Sequence, residues 1–562
     1  MALLSTTSTP APPIAERSLV EMFETAVTRY GNRPAINFLG RRWLFRELGE
    51  AVERAARGLQ DLGVTKGVRV GLCLPNTPYS VILFFATLRA GGTVVNFNPL
   101  YVERELRHQV EDSGTSIMAV PDLHAICGKV EAIARDTGLR KIIVCPIGAA
   151  MPPAKRLLFS VLKRRDVVPV RNSGLHVSYA RLTARPVAPD PVAVAPATDV
   201  AVLQYTGGTT GTPKGAMLTH ANLTANVWQM TQVLPSIRRG EERMLGVLPL
   251  FHVFAMTVVL NLAIETGAEM LLLPRFELKQ LLRTIERQKP TLFPAVPTIY
   301  TAINMAAAKA RLDLRSIRLC ISGGAPLPVD VRHRFQTLTG CKLVEGYGLS
   351  EASPVVSCNP IEGVAKDGSI GIPVPGTVVE LRDPLDPSRL VAPGQPGELC
   401  VRGPQVMRGY WNKPDDTADV FTEGALRTGD IARIDEDGYI FILDRIKDVI
   451  LCGGYNVYPR NVEEALYQHG AIAEAMVVGV PDAYRGQAPK AFVTLRDGHA
   501  TTPEELKAFL GDYLSRIELP REVVIRRSLP KTLVGKLSKK DLLAEEEAAS
   551  VHAGAEAAER RI

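Results

Sequence analysis

At 562 residues the chain is too long for a single hydrophobic core. Its 46% hydrophobic and 22% charged residues fit an ordinary globular protein, and a net charge of +7 spread along the chain argues against nucleic acid as a partner. The eight cysteines never reach metal-ligand spacing and form no CxxC, so reduced core thiols of a cytoplasmic protein are expected.

The opening MALLSTTSTPAPPIAERS lacks a basic head and a sustained apolar stretch, so residues 1–17 read as a disordered lead-in rather than a signal peptide. From Ser18 to Arg445 helical segments alternate with short β-branched runs. GVRVGLCLP reads as a strand, SVILFFATLRAG as a helix, TVVNF as a strand and VERELRHQVEDSG as a helix. That alternation predicts an α/β fold of parallel sheets covered by helices. The longest apolar stretch, YSVILFFATLRAGGTVVNF, is broken by Arg89 and a glycine pair, which fits helix, turn and buried strand better than a membrane span. Residues 151–172, MPPAKRLLFSVLKRRDVVPVRN, form a basic and apolar insertion. A surface helix covering the core is the preferred reading there, and docking on the inner face of a membrane is the second.

Further on, VAVLQY reads as a strand and LTHANLTANVWQM as a helix, with a glycine-rich loop joining them. Short, turn-separated strands at 369–403 predict a β-rich portion late in the large domain. Residues 446–543 predict a small α+β domain, and 544–562 an Ala/Glu-rich tail. One helix start in the small domain is explicit: Thr502-Pro503-Glu504-Glu505 combines a capping box with proline at the first helical position.

The joining loop, YTGGTTGTPKG, holds four glycines, four threonines and one lysine in eleven residues. Such a turn exposes backbone N–H groups and hydroxyls, which suits a phosphate. It is not a Walker loop, because Lys214 is followed by Gly215 rather than Ser or Thr. Thr206, Thr209 and Thr210 alternate with Gly207, Gly208 and Gly211 in the manner of a flap that could follow a polyphosphate.

That loop resembles the phosphate loop of the adenylate-forming superfamily, which holds acyl-CoA synthetases, luciferases and adenylation domains. Further signatures follow in family order: PLFHVFAM (249–256), SGGAPL (322–327), EGYGLSEASP (345–354), RTGD (427–430), DRIKDVILCGGYNVYP (444–459) and PKTLVGK (530–536). The resemblance implies a large N-terminal adenylation domain at 18–445, a mobile C-terminal domain at 446–543, and ATP, Mg²⁺ and coenzyme A as cofactor and co-substrates. It implies that Thr206 to Lys214 cradle the β- and γ-phosphates and that Glu351 binds Mg²⁺ with the Thr206 hydroxyl. A carboxylate at a helix N-terminus is the plainer reading of Glu351, compatible with that role. Gly323, Gly324 and Ala325 would form the adenine-side loop, with Tyr347 and Gly348 against the base and Asp430 on the ribose. Lys536 resembles the catalytic lysine, Arg445 would lie near the ribose, Lys447 would be the hinge, and Gly453-Gly454 would line the pantetheine channel.

Joining a carboxylate to the α-phosphate of ATP makes AMP a good leaving group for a thiol, and positive charge with oriented donors must supply most of the help. Apolar residues around His252 suggest an acyl pocket with that histidine near the carboxylate, and no acidic residue stands there to meet a substrate amine. FNPLYVERELRHQ and YNVYPRNVEE resemble bacterial medium- and long-chain fatty acyl-CoA ligases. Two departures keep dicarboxylic and aryl acids open: EGALRTGD lacks the tryptophan common before TGD, and Met256 stands where some long-chain relatives carry a gating tryptophan. Loading of a free-standing carrier protein and a luciferase-like oxygenase are the other function classes the fold would allow.

Overall fold

The computed structural model describes residues 16–170, 172–206, 213–309, 312–452, 455–482, 485–531 and 537–546. The expected lead-in up to residue 15 and the tail from 547 lie outside the described residues. The chain forms two compact units, one of Ser5–Val379 with Val401–Leu426, the other containing Glu380–Cys400 and everything from Arg427 onward.

The first unit is built on two large sheets. In one, seven strands run in the order His176–Ser178, Lys141–Cys145, Ile117–Pro121, Arg69–Leu72, Thr93–Asn96, Val200–Thr206 and Lys214–Thr219, parallel except for the last. In the other, nine strands run from Ile372–Pro373 at one edge to Arg41–Leu44 at the opposite edge. Its six central strands are parallel and its edges antiparallel. Helices supply the crossovers, as the α/β alternation predicts. Ser18 begins the first helix, Leu19–Tyr30, with a full capping box: its hydroxyl accepts from Glu21 N at 3.0 Å and its own N–H donates to the Glu21 carboxylate at 2.6 Å.

The apolar run SVILFFATLR lies in the helix Pro78–Arg89, whose residues from Pro78 to Leu88 are all buried. A helix apolar on every side must be surrounded, and this one is enclosed by the core. Among the described residues no helix is long and apolar enough to cross a membrane. All eight cysteines are buried and none forms a disulfide.

Two expectations need correction. The glycine-rich loop does not lead from strand to helix. Residues Lys214–Thr219 form a strand antiparallel to Val200–Thr206, and the helix His220–Val233 begins only after Thr219. The strands flanking the loop therefore pair with each other, and the helix His220–Val233 does not follow the loop directly. The 151–172 insertion is helical at Pro153–Leu162, but none of those ten residues is buried. Only Phe159 packs against the core, so this helix covers almost none of it.

In the second unit, strands Ile450–Cys452, Tyr455–Val457, Ile472–Asp482, Gly486–Leu495 and Glu522–Ile525 form one sheet, with helices Pro459–Tyr467 and Pro503–Leu510 packed on a core of Val462, Leu466, Leu506 and Leu510. The helix start at Thr502 has both bonds of its capping box, Glu505 N to Thr502 Oγ1 at 3.2 Å and Thr502 N to Glu505 Oε2 at 2.9 Å. Short strands Val378–Arg382 and Gly397–Arg402 supply the β-rich portion around 369–403.

Candidate active site

Thr206 and Lys214 are the last paired residues of the hairpin, so its strands deliver both ends of the glycine-threonine loop to one point. Gly207, Gly208, Thr209, Thr210 and Gly211 lie outside the described residues. Gly215 keeps the hairpin close to its neighbour, since a Cβ there would stand 3.1 Å from the Tyr205 ring. The extended segment 407–411 lies against the same strand, through Met217 N to Gly409 O at 2.9 Å, Arg408 N to Met217 O at 3.0 Å and Trp411 N to Gly215 O at 2.8 Å.

That segment carries a residue the sequence did not flag. Tyr410 donates its hydroxyl to Glu351 Oε1 at 2.7 Å. Lys214 Nζ stands 5.3 Å from the centre of the Tyr410 ring and pairs with Asp416. Burial, then the Glu351 carboxylate, push the Tyr410 phenol well above its ordinary range, so it remains a donor. Glu351 itself sits on the three-residue 3₁₀ turn Ser350–Ala352, too short for a helix dipole, and its carbonyl accepts from Met407 N at 2.7 Å. The turn packs against both hairpin strands. The structure thus brings Thr206, Lys214 and Glu351 together and adds Tyr410 and Asp416. No spacing rule links residues 351 and 410. The only signal for Tyr410 in the chain is the aromatic pair in RGYWNKP.

The apolar segment is tied to the same hairpin by buried amides. Asn96 Nδ2 donates to Gln204 Oε1 at 3.1 Å, and Gln204 Nε2 donates to Phe251 O at 3.1 Å. Asn76 holds the approach to it, accepting from Leu250 N at 2.8 Å and donating to Leu248 O at 2.8 Å. His252 is half-buried and accepts from Phe254 N at its Nδ1, 3.3 Å away, which caps the short helix Val253–Ala255. Met256–Asn261 then form a π-helix, an irregularity frequent at functional sites. Gly323 leaves room for Phe254: a Cβ there would lie 3.0 Å from the ring, so the SGGAPL turn and the PLFHVFAM segment touch. Gly324 has φ +82° and continues that turn toward Ala325. Tyr347 and Gly348 end the strand Lys342–Gly348, and a Cβ on Gly348 would fall 2.0 Å from Pro354 O.

In the other unit, Asp430 is buried on the strand Ala425–Ile434 and pairs across the ladder with Arg445, whose Nε lies 3.2 Å from Asp430 Oδ1. A cavity of about 310 Å³ opens here, lined by Glu398, Arg427, Thr428, Gly429, Arg445 and Lys447 with Ile446. Glu398, missed by sequence reasoning, shapes it by pairing with Arg427 at 2.8 Å and accepting from Gly429 N at 3.2 Å. Burial and the Arg445 guanidinium lower the Lys447 ammonium below its ordinary range. Asp430, Arg445 and Lys447 are thus adjacent. Gly453, Gly454 and Lys536 lie outside the described residues.

The AMP-binding enzyme family matches residues 23–411, and its C-terminal domain matches 461–536. A long-chain-fatty-acid–CoA ligase of Bacillus subtilis (strain 168) is 42% identical over 541 residues, 95% of each chain. Among solved structures, ATP-bound MatB from Rhodopseudomonas palustris superposes with a TM-score of 0.81 at 27% identity, covering 93% of this chain and 98% of that one. An anthranilate CoA ligase, AuaEII, in complex with anthranoyl-AMP matches with a TM-score of 0.81 at 27% identity, covering 96% and 99%. Such an α/β build, with its loop hairpin and nearby carboxylate, defines an ATP-binding, adenylate-forming ligase that joins an acid to a thiol. The chain belongs to the AMP-binding enzyme family.

Proposed function

We propose that this enzyme activates a long-chain fatty acid with ATP, releasing pyrophosphate, and passes the acyl group from the adenylate to coenzyme A. The observation that carries the reading is the cluster at the hairpin: a cation, Lys214, and a carboxylate, Glu351, share one aromatic residue beside a loop of glycines and threonines. Anionic phosphates need both a counter-charge and a means of holding a metal. The Lys214–Asp416 pair is accessible to solvent, so a polyphosphate can compete for that ammonium.

Mg²⁺ favours one or two carboxylates plus substrate oxygens, and Glu351 with the Thr206 hydroxyl fits that demand. Tyr410 occupies Glu351 Oε1 and leaves the group's other oxygen to face a cation. Among the described residues no cluster of three His, Cys, Asp or Glu side chains offers a closed metal cage. The ion would neutralise phosphate charge during displacement at the α-phosphorus. Residues 207–212 with Thr206 and Lys214 would bind the β- and γ-phosphates, Gly323 to Ala325 and Tyr347-Gly348 the adenine, and Asp430 the ribose hydroxyls. Lys536 would contact the carboxylate and α-phosphate oxygens, and Arg445 would lie by the ribose. In this reading residues 18–445 form the adenylation domain, 446–543 turn about Lys447, and Gly453-Gly454 admit the pantetheine arm.

The acid is assigned from the segment around His252. Leu250, Val253, Phe254, Ala255 and Met256 are buried, and no carboxylate or cation interrupts them. An apolar segment of this kind would suit an alkyl chain, and the B. subtilis relative is named for long-chain fatty acids. An apolar pocket discriminates by only about 1–3 kcal/mol per methylene, so several chain lengths should serve. Pyrophosphate release measured across C4 to C18 fatty acids, diacids and benzoates, with and without coenzyme A, tests the reading. Turnover that depends on coenzyme A and rises with alkyl chain length supports it. Preference for a benzoate would transfer the enzyme to the aryl-acid alternative represented by the anthranilate ligase, and turnover indifferent to coenzyme A would refute the thiol acceptor.

A further inference from the structure

The helix Pro153–Leu162 is built the wrong way round for a globular surface. Leu157, Leu158, Val161 and Leu162 are 69%, 58%, 67% and 70% exposed. At 100° per residue, positions 157, 158, 161 and 162 fall on one stripe, the i and i+4 neighbours of a single face. The opposite face holds the helix down. Phe159 packs on the core, and both Phe159 and the Arg156 stem lie over Gly148. Lys155 Nζ donates to Leu39 O at 2.6 Å. The aliphatic stripe is therefore presented to solvent by a helix whose attachment is already made by other residues.

Charge surrounds the stripe. Lys155, Arg156, Lys163, Arg164 and Arg165 supply five cations in residues 153–165, a span that contains no acidic residue. All five are exposed. Asp166 follows and pairs with Lys163 alone, at 2.7 Å. Four aliphatic side chains on one face with cations at both ends are the pattern of a helix lying in a lipid interface, where apolar groups enter the acyl boundary and Lys and Arg meet anionic headgroups. A protein partner would need an acidic apolar groove, and a second copy of this chain would present the same five cations to its twin.

We propose that residues 153–165 dock the enzyme peripherally on an anionic phospholipid surface, with Leu157, Leu158, Val161 and Leu162 inserted and the flanking basic residues on headgroups. The inference stands on this helix and goes beyond the proposed reaction; it holds whichever acid is activated.

Vesicle sedimentation of the full chain tests it, using phosphatidylcholine vesicles with and without phosphatidylglycerol. Partition should be about tenfold or more stronger on the anionic vesicles and fall as salt is raised, as expected when several cations each contribute near the surface. Leu158→Gln with Leu162→Gln should reduce binding to anionic vesicles at least about tenfold, and Arg164→Glu with Arg165→Glu should remove the preference for anionic lipid. Both pairs are exposed, so thermal unfolding should match the parent, and a shift there would mark a damaged fold. In that event the milder Leu158→Ser alone should still weaken vesicle binding. Equal partition on neutral and anionic vesicles, or wild-type binding by the leucine variant, overturns the proposal. So does lipid-free dimerisation that the same variant abolishes, which would assign the stripe to a second copy.

Discussion

A carboxylate on a three-residue turn can rotate about its side-chain bonds, and the Tyr410 hydroxyl, 2.7 Å from Glu351 Oε1, removes that freedom. Tyr410→Phe keeps the ring under Lys214 and deletes only the donor. A hydrogen bond to a charged group is worth about 1.5–3 kcal/mol, so the half-saturating Mg²⁺ concentration for pyrophosphate release should rise about tenfold while the folded state is retained. Unchanged Mg²⁺ dependence would show that the phenol does not orient the carboxylate. A second residue-scale prediction concerns pH. His220 is buried and its Nδ1 accepts from Leu19 N at 3.2 Å, so the ring must be neutral to cap that helix start. Burial holds its pKa down to about 4, against an ordinary 6.5. Over that window the unfolded chain binds the proton and the folded chain does not. Stability fully present above pH 6.5 is therefore lost as pH falls through 4, by about 3 kcal/mol. Unfolding followed by tryptophan fluorescence should show this slope, and His220→Gln should flatten it. Of these residues, Glu351 and Lys214 were legible in their motifs. Tyr410, Asp416 and His220 were not, because their roles exist only through partners 59, 202 and 201 positions away.

At the scale of elements, the helix Pro78–Arg89, the strand Thr93–Asn96 and the capped helix at Thr502 could be read directly from apolar runs and cap chemistry. The strand Lys214–Thr219 could not. KGAMLT has one β-branched residue and a glycine, so local preference does not mark it, and its pairing with Val200–Thr206 decides its form. The same dependence on neighbours governs the turn that carries Glu351. Gly348 ends its strand where Pro354 O comes back against it, and Leu349 N bonds that same oxygen at 3.1 Å. Gly348→Ala would put a methyl 2.0 Å from the oxygen, so the backbone of one side must shift. Overpacking of this kind costs about 1–3 kcal/mol, and the shift moves Glu351 as well. Adenylation measured as ATP–pyrophosphate exchange should drop at least about tenfold if Glu351 is the Mg²⁺ ligand we propose, since small misplacement of such a group has large kinetic effects. An alanine variant with parental exchange would mean that the turn tolerates displacement.

On the scale of the molecule, the change of texture after Arg445 was visible in the sequence, but the inclusion of Glu380–Cys400 in the same compact unit as the C-terminal residues was not, since contiguous reading cannot join segments that meet only in space. A half-buried cation ties parts of that unit together. Lys539 Nζ lies 3.4 Å from Glu463 Oε1 and 3.9 Å from Asp444 Oδ1. Asp444 also accepts from Arg460 N at 2.9 Å and Arg445 N at 2.8 Å, and Glu463 accepts from Val477 N at 2.8 Å. One ammonium therefore ties the segment bearing Arg445 to the helix Pro459–Tyr467 and, through Glu463, to the strand Ile472–Asp482. Burial raises both carboxyls above their ordinary range despite Lys539, and burial opposes the Lys539 charge, but the two carboxylates outweigh it and hold its ammonium above the ordinary value. Lys539→Met leaves two carboxylates without their counter-ion, and because solvent reaches the ammonium the loss falls below the roughly 3–5 kcal/mol of a fully buried pair, at about 1–2 kcal/mol. With the cation gone their folded-state pKa values climb further. A carboxyl raised on folding contributes stability that is present at low pH and lost as pH rises through the folded value, so the variant's deficit should be largest near neutrality and shrink on acidification toward pH 5. Hydrogen exchange read on the strands Ile472–Asp482 and Gly486–Leu495 measures this where it occurs, while Trp43, Trp228 and Trp411, all in the other unit, report that unit separately. Protection lower than the parent's at pH 7 that partly recovers at pH 5, each compared at the same pH and with the tryptophan transition unmoved, is the expected result; an equal loss of protection at both pH values would mean that the cluster is held by packing rather than by charge.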